Sequence, residues 1–324
     1  MRQIENILII FPPNYNHYQV FCETALSFQA ALKQLGQYPQ IRLNAADCDG
    51  TTLVFGAHLL SKFDGTIEGD QYILFQSEQL SASDSLFVDE KYLDILRRHE
   101  VWDYSPANIE FLTSKGVEAK YVPIGYNRVM SNIKTGRSAA IVGGAKNGPA
   151  RIELMSWSGA HPPTGDDGKF IQDVDVCFYG SMNDRRAKII DALKASVVST
   201  VTTDGEIVDR PLVVAQFSGY GGYRDKVIAR SKIVLNMHYY DSAIFEIFRC
   251  SHLFANKKCV ISEEGLDSGI EMAYRATGGF VKYDHLVDAC LEVLRDSVLQ
   301  NTIAQKGYDI FTRTSQADNI RVAL

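Results

Sequence analysis

The sequence has no long hydrophobic run. No stretch approaches the roughly 18 consecutive apolar residues of a membrane-spanning helix. The N-terminal apolar run, residues 7–11, is short, and no small-residue cleavage site follows it. We therefore expect neither a transmembrane segment nor a signal peptide.

Paired cysteines and an excess of positive charge are also missing. The 6 cysteines are scattered, without a CxxC pair or a histidine at zinc-finger spacing, which indicates reduced thiols in a cytosolic protein. Lys and Arg number 33 against 39 Asp and Glu, for a formal net charge of −6. Because gripping nucleic acid needs a basic surface, nucleic acid is not expected as a partner.

The composition is that of an ordinary globular protein. The chain has 324 residues, of which 46% are hydrophobic and 22% are charged. At roughly 150 residues per domain, this length predicts about two domains, each with its own core.

Short β-rich runs alternate with helical periods along most of the chain, which predicts an α/β fold with parallel sheets. The predicted strands are 7–11, 52–55, 72–75, 119–122, 174–179, 197–202, 233–237, 259–262 and 279–282. The predicted helices are 20–35, 89–99, 106–115, 184–194, 223–231, 242–255, 285–295 and 298–311. The pattern predicts that the two halves form two α/β sandwiches in tandem, with a cleft between the carboxyl ends of their strands.

The segment 128–172 is rich in glycine and contains a Pro162-Pro163 pair, so we predict a linker or excursion there, with a small hairpin inside it. This gives an N-terminal domain over 1–127 and a C-terminal domain over 173–297. We expect the final helix, around 298–311 in the segment 298–324, to cross back to the first domain.

Two segments that follow predicted strands of the second half are candidate binding loops. The first begins with Gly180 and carries Arg185 and Arg186 at a helix start, which favours an anion. The alternative is a solvated helix face capped by Asn183.

The second segment runs from Asn236 to Ser242 and leads into the predicted helix. Glu246 would lie one turn into that helix, where a carboxylate can accept hydrogen bonds from a ribose or sugar diol. The alternative is a surface ion pair with Arg249, three residues further on.

The segment from Asp175 to Glu264 resembles the nucleotide-sugar-binding half of a GT-B glycosyltransferase, closest to the group-1 and CgeB-like branch. The landmarks in this half are "DVCFYGSMNDRRAKIIDAL", "YRDKVIARSKIVLNMHYYDSAIFEIFRCSHLFANKKCVISEE" and "GGFVKYDHLVDAC". The first half is compatible with the acceptor domain through "LVFGAHLL", "ILFQSEQL" and "VWDYSPANIEFLTSKGVEAKYVPIGY". The resemblance implies two Rossmann-like domains that face each other across a cleft.

The resemblance also implies roles for single residues. Arg185 or Arg186 would meet the diphosphate, the helix end at Ser242 and Ala243 would face it, and Glu246 would hold a hydroxyl. The predicted donor-binding residues are Gly180, Arg185, Arg186, Asn236, His238, Tyr239, Ser242, Ala243 and Glu246. Many retaining relatives carry two glutamates eight residues apart, but those places hold Ser251 and Ala243 here. Retention or inversion therefore stays open.

In the first half, His17, His58 and Glu78 each follow a predicted strand and are candidates for the base that deprotonates an acceptor. A lone histidine is more often structural, whereas a carboxylate at the end of a buried strand needs a reason to be there.

The predicted function is transfer of a sugar from a nucleotide-diphosphate sugar to an acceptor hydroxyl, without a cofactor or an essential metal. The acceptor is open: a glycan, a lipid-linked sugar or another hydroxyl compound. Alternatives are an epimerase or hydrolase of sugar nucleotides with this fold, or a non-catalytic nucleotide-sugar-binding protein. We expect a cytoplasmic location, with peripheral attachment to a membrane left open.

Overall fold

A computed structural model describes residues 2–63, 65–80, 89–143, 150–201, 204–266 and 268–324. Both halves of the chain are α/β, and each contains one parallel sheet between helices. Short 3-10 helices connect some of the elements: Asn16–Phe21, Ala45–Asp47, Arg128–Met130, Ile133–Thr135 and Tyr283–His285.

The first domain is built on six parallel strands. They are β1 (Asn6–Ile9), β2 (Gln40–Arg42), β3 (Thr52–Phe55), β4 (Tyr72–Gln76), β5 (Glu100–Asp103) and β6 (Ala119–Tyr121). The helices are α1 (Cys22–Gln34), α2 (His58–Lys62), α3 (Glu90–Arg97) and α4 (Pro106–Ser114). The strand order is β2-β1-β3-β4-β5-β6, and β1, β3 and β4 are buried along their whole length. Such burial is expected when helices cover both faces of a sheet.

The hairpin predicted within 128–172 is present. Strands β7 (Arg137–Val142) and β8 (Arg151–Ser156) pair antiparallel and belong to neither parallel sheet. The hairpin packs against α1 of the first domain. Residues 144–149 of this segment lie outside the described residues. The domain boundaries at 127 and 172 remain predictions.

The second domain is built on five parallel strands and carries one more hairpin. Its strands are β9 (Val174–Tyr179), β10 (Val197–Val201), β11 (Ile207–Pro211), β12 (Val214–Phe217), β13 (Ser231–Asn236), β14 (Cys259–Glu263) and β15 (Phe280–Val281). Its helices are α5 (Asp184–Lys194), α6 (Gly221–Arg230), α7 (Ile247–Ala255), α8 (Ser268–Arg275) and α9 (Leu286–Arg295). The parallel sheet has the order β12-β9-β13-β14-β15, while β10 pairs with β11 in a separate hairpin.

Each parallel sheet contains a point where the strand order reverses. In the first sheet β2 and β3 lie on opposite sides of β1, and in the second β12 and β13 lie on opposite sides of β9. Loops leaving the carboxyl ends at such a point separate and open a crevice, which is where ligands bind in sheets of this kind.

The chain ends with helices α10 (Ser297–Phe311) and α11 (Gln316–Ala323). Helix α10 packs on α7 and β14 of the second domain, and α11 packs on α1 of the first. Gly125 N donates a hydrogen bond to Gln316 Oε1 at 2.8 Å, and Gln316 N donates to Tyr126 O at 3.0 Å. The helix that packs on α1 of the first domain is thus α11, which follows the helix over 298–311 for which the crossing was predicted.

One hydrophobic cluster continues from the first domain into the second. At the junction the ring of Phe248, on α7, lies 6.2 Å from that of Phe75 and 5.0 Å from that of Tyr104. Aromatic edge contacts of this kind add to the free energy of apolar burial. No helix in the described part of the chain is long and apolar enough to cross a membrane.

Candidate functional site

A cavity of about 480 Å³ lies between the two domains. One wall comes from segments that follow β1, β3 and β4, and the other from segments that follow β9, β12 and β13. Both reversal points of strand order therefore open into the same cavity.

The wall of the second domain carries a cluster of Arg186, Glu246 and Arg249, which we call the arginine–glutamate cluster. Arg186 Nη2 lies 2.8 Å from Glu246 Oε1, and Arg249 Nη2 lies 2.9 Å from Glu246 Oε2. All three residues line the cavity. Two arginines and one glutamate give the cluster a net positive charge, so it is suited to a negatively charged ligand.

The charges of this cluster stabilise one another. Burial by itself raises the pKa of Glu246, but the positive charges of Arg249 and Arg186 outweigh it and hold the pKa below its ordinary value. Burial lowers the pKa of Arg186, and the carboxylate of Glu246 opposes that shift. Glu246 is therefore an anion that holds two guanidinium groups in place.

The ends of two strands position these arginines. Gly180, directly after β9, has φ +137°, and a Cβ at this residue would lie 2.9 Å from Arg249 Nη2. Only glycine combines that backbone conformation with such a close approach. Asn236, at the end of β13, is fully buried, and its Oδ1 accepts a hydrogen bond from Arg249 Nη1 at 2.8 Å.

The opposite wall carries Glu78 and His58. His58 Nε2 lies 3.3 Å from Glu78 Oε1. Burial, together with the negative charge of Glu246 across the cavity, raises the pKa of Glu78 to about 7. Burial and the nearby charge of Lys62 lower the pKa of His58 to about 3. The imidazole is therefore neutral near pH 7, while the carboxyl changes its protonation there.

The backbone at Glu78 is held by buried side-chain amides. Gln76 Oε1 accepts from Glu78 N, and Gln76 Nε2 donates to Glu78 O, both at 2.7 Å. Asn108 Nδ2 also donates to Glu78 O, at 2.8 Å. Asp103 accepts from Gln76 Nε2 at 2.9 Å and from Asn108 Nδ2 at 3.1 Å, which fixes the orientation of both amides. The loop after β4 thus holds Glu78 in a fixed position.

Polar contacts also connect the two domains directly beside the cavity. They are Glu23 Oε1 to Arg224 Nη2 at 2.6 Å, His17 Nδ1 to Tyr220 Oη at 2.6 Å, and Gln79 Oε1 to Ser242 Oγ at 3.1 Å.

Seven of the twelve predicted site residues line the cavity. On the first wall these are His17, His58 and Glu78, and on the second Gly180, Arg186, Tyr239 and Glu246. The other five predicted site residues are described by the structure but do not line the cavity: Arg185, Asn236, His238, Ser242 and Ala243.

Arg185 differs from its neighbour Arg186. Its guanidinium is ion-paired with Glu263, at 2.7 Å from Nη1 to Oε2, and lies 4.0 Å from the ring centroid of Tyr283. It does not line the cavity as Arg186 does, because helical neighbours project about 100° apart around the axis. His238 is also turned inward. It is 2% exposed, and its backbone N donates to Glu263 Oε2 at 3.0 Å.

The predicted helix over 242–255 starts later than expected, because α7 begins at Ile247. Ser242 and Ala243 therefore do not form a helix end, and Ala243 has a left-handed φ of +46°. Ile244 and Phe245 are buried at 1% and 0% exposure. Their burial in the shared core requires an irregular chain path, which outweighs the helical pattern of the sequence. Glu246 consequently precedes the helix instead of lying one turn inside it.

Several cavity residues were not predicted from the sequence. Arg249 was considered only as a surface partner of Glu246, yet it lines the cavity at 13% side-chain exposure. Gly219 and Tyr220 also line the cavity, just before α6. Arg224 and Glu23 lie 201 positions apart, so no sequence spacing signals that they meet.

Within the described ranges, no group of three or more His, Cys, Asp or Glu side chains is arranged to hold a metal ion. The expectation that no metal or cofactor is required remains a prediction.

Comparison with known sequences gives limited information about function. No protein-family model matches the chain. It is 32% identical over 132 residues to the uncharacterized protein L140 of Acanthamoeba polyphaga mimivirus, and this match covers 39% of this chain and 40% of that protein. It is 30% identical over 138 residues to the uncharacterized protein L138 of the same virus, which covers 42% of this chain and 14% of that protein. The matches thus span less than half of these curated relatives.

Comparison with solved structures is informative about the fold. HepE of Anabaena, solved with UDP and glucose, superposes with a TM-score of 0.55 at 11% identity, covering 98% of each chain. Sucrose-phosphate synthase of Thermosynechococcus elongatus superposes with a TM-score of 0.54 at 12% identity, and the superposition covers 99% of this chain and 98% of that one. A T4 phage BGT variant in complex with UDP-glucose superposes with a TM-score of 0.52 at 11% identity, and the superposition covers 98% of this chain and 97% of that one. The chain therefore has the two-domain GT-B fold of these glycosyltransferases.

Proposed function

We propose that this chain is a glycosyltransferase that moves a sugar from a nucleotide-diphosphate sugar to an acceptor hydroxyl. The observation that carries the proposal is the pairing of two unlike walls in one cavity. The arginine–glutamate cluster stands on one wall, and Glu78 with His58 stands on the other. The fold shared with proteins solved with UDP-glucose, or with UDP and glucose, supports the same activity.

In this proposal the cluster of Arg186, Glu246 and Arg249 binds the donor. Arg249 has five N–H groups, of which one donates a hydrogen bond to Asn236 Oδ1, and its guanidinium is ion-paired with Glu246. The remaining N–H groups are suited to the diphosphate, whose negative charge grows as the bond to the sugar breaks. Glu246 uses each oxygen once with an arginine, which leaves lone pairs to accept hydrogen bonds from ribose or sugar hydroxyls.

Glu78 is the proposed base. A base is most effective when its pKa lies near the working pH, and the pKa of Glu78 is raised to about 7. His58, with its pKa of about 3, is too weak a base for this role, and its imidazole Nε2 lies beside the carboxyl at 3.3 Å from Glu78 Oε1. We assign His17 to the cavity entrance, where it bonds Tyr220 of the second domain.

The sequence landmarks support the group-1 and CgeB-like branch as the nearest relatives within this fold. All six cysteines are free and five of them are buried, which supports a reducing compartment and hence a cytoplasmic location.

A panel of UDP, GDP, CMP, ADP and dTDP sugars tests the proposal by thermal unfolding of the full chain. A bound donor at 100 times its Kd adds about 2.7 kcal/mol to the free energy of unfolding, enough to raise Tm by several degrees. Product analysis of the best donor, with and without saccharide acceptors, should show a new glycoside only when an acceptor is present. An epimerised donor, or sugar release that acceptors do not alter, would favour the alternative enzymes. A panel in which no donor changes Tm would contradict the proposal.

A further inference from the structure

The two walls of the cavity differ in charge. The second-domain wall contributes Arg186, Arg224 and Arg249. The cavity-lining residues of the first domain, among those that the structure describes, include no Lys or Arg, and their charged members are the carboxylates Glu23 and Glu78. The stretch 81–88, which follows this wall in the sequence, contains no Lys or Arg either.

The first-domain wall is rich in aromatic and hydroxyl groups near its open side. Tyr15 and His17 line the cavity with their ring centroids 5.2 Å apart, and Tyr15 lies at the same distance from Phe63, which is 45% exposed. Exposed aromatic rings beside a cleft are typical of a ligand-binding surface. The negative charge of Glu78 contributes, after burial, to the raised pKa of the Tyr15 hydroxyl, so this surface adjoins the proposed base.

We infer that this wall is a subsite for an uncharged sugar ring, which presents one hydroxyl to Glu78. The inference rests on the proposed transferase function and names its acceptor class. The flat C–H face of a pyranose suits the aromatic surface of Tyr15, while its hydroxyls match the polar atoms around it.

Electrostatics decides between a neutral and an anionic acceptor. A phosphate-bearing acceptor bound here would lie against Glu78 with no cation of its own wall to pair with, and a buried unpaired charge is strongly disfavoured. Arg224, on the other wall, is already paired with Glu23 and Asp225, at 2.6 and 2.8 Å. The wall therefore selects against phosphorylated acceptors through repulsion as well as through lack of attraction.

Saturation-transfer NMR on the full chain tests the inference in the presence of saturating UDP, which is expected to occupy the arginine–glutamate cluster so that the sugar phosphates cannot bind there. The probes are methyl β-glucoside and N-acetylglucosamine, each compared with its phosphorylated counterpart, glucose 6-phosphate or N-acetylglucosamine 6-phosphate. We expect the neutral sugars to bind at least about tenfold more tightly than the phosphates. Equal or tighter binding of the phosphates would overturn the inference, as would absence of binding by both neutral sugars.

Variants locate the binding surface. Tyr15→Ala is expected to weaken neutral-sugar binding about fivefold to tenfold, and Tyr15→Phe to retain most of it. Tyr38→Ala, at a tyrosine that is 69% exposed and does not line the cavity, is the matched control and should change nothing. Val20→Lys, at a cavity-lining residue that is 42% exposed, should improve binding of glucose 6-phosphate relative to methyl β-glucoside.

Unchanged sugar binding in Tyr15→Ala, or no gain in Val20→Lys, would contradict the subsite. These binding measurements need no turnover. A failure of the acceptor subsite is therefore distinguishable from a failure of donor binding, which is measured by thermal unfolding with nucleotide sugars.

Discussion

At the scale of single residues, Arg185 and Arg186 show how neighbours in a sequence acquire different roles. Arg186 is 2% exposed and joins the arginine–glutamate cluster, whereas Arg185 pairs with Glu263 away from the cavity. Both match the basic position implied by the family resemblance. The direction in which each side chain leaves the helix separates them, and Arg249 supplies the second cation of the arginine–glutamate cluster.

Replacing Arg249 with alanine should therefore weaken donor binding. A charge-assisted hydrogen bond to phosphate is worth roughly 1.5–3 kcal/mol, so Kd for the preferred nucleotide sugar should rise about tenfold or more. Isothermal titration calorimetry measures this change. The control, Arg185→Ala, should instead lower Tm, because Glu263 has a 6% exposed side chain and would lose its cation, while donor Kd stays the same. Equal losses of affinity in both variants would contradict this assignment.

The raised pKa of Glu78 predicts a pH dependence of both activity and stability. Only the ionised carboxyl can act as base, so kcat/KM should rise with pH through about 7. Folding raises this pKa from 4.5 to about 7, so the folded state holds the proton more tightly than the unfolded state does. The resulting stabilisation is fully present below pH 4.5 and is lost as the pH rises through about 7.

Glu78→Gln checks both consequences. The variant should lose most activity together with the rising limb of the pH profile, keep the donor Kd, and gain stability relative to the wild type above pH 7. A rising limb near pH 7 that persists in Glu78→Gln would assign the titration to another group.

At the scale of secondary-structure elements, the turn from β9 to α5 brings backbone and arginine together. Gly180→Ala places a Cβ 2.9 Å from Arg249 Nη2 and also strains a residue at φ +137°. The matched control is Gly205→Ala, where φ is +89° but no atom lies within 4 Å of the new Cβ. Both variants should lose about 1–3 kcal/mol in the free energy of unfolding from backbone strain. Only Gly180→Ala should also weaken donor binding in calorimetry, and a similar effect of Gly205→Ala would sink this explanation.

The loops after β4 and β5 together form the hydrogen-bond network that positions Glu78. Asp103→Asn places an amide N–H2 against N–H donors of Gln76 or Asn108, so the network that holds Glu78 must rearrange. We expect kcat to fall while donor Kd is kept. Asp175→Asn, at an aspartate that is 1% exposed and bonded to Arg210 and Lys232, is the control. It should lower Tm without altering the pH profile of kcat/KM, whereas equal kinetic effects of both changes would argue against a positioning role.

Elements with strong local signals were predictable from the sequence. Strands β3 and β9 and helix α5 have the predicted bounds, because apolar runs, a glycine turn and the Asn183 cap are all local features. The start of α7 was not predictable, since burial of Ile244 and Phe245 in the shared core determines the chain path there. Strand β10 was predicted as a strand, but its partner, β11, was not.

At the scale of the whole molecule, the general rule for parallel sheets predicted a cleft at the carboxyl ends of the strands, and the structure has that cleft. The rule does not say which side chains meet across it. Glu23 and Arg224, or His17 and Tyr220, come together only through the packing of one domain on the other. The hydrophobic cluster shared by the domains maintains that packing.

The central claim is that a nucleotide-diphosphate sugar binds between the domains against the arginine–glutamate cluster. A crystal structure of the full chain with the nucleotide diphosphate of the best donor tests it most directly. The account predicts phosphate oxygens within hydrogen-bond distance, about 2.7–3.2 Å, of Arg249 nitrogens. It also predicts a ribose or sugar hydroxyl at Glu246 and no contact with Arg185. A nucleotide bound outside the cavity, or with its diphosphate on Arg185, would contradict the account.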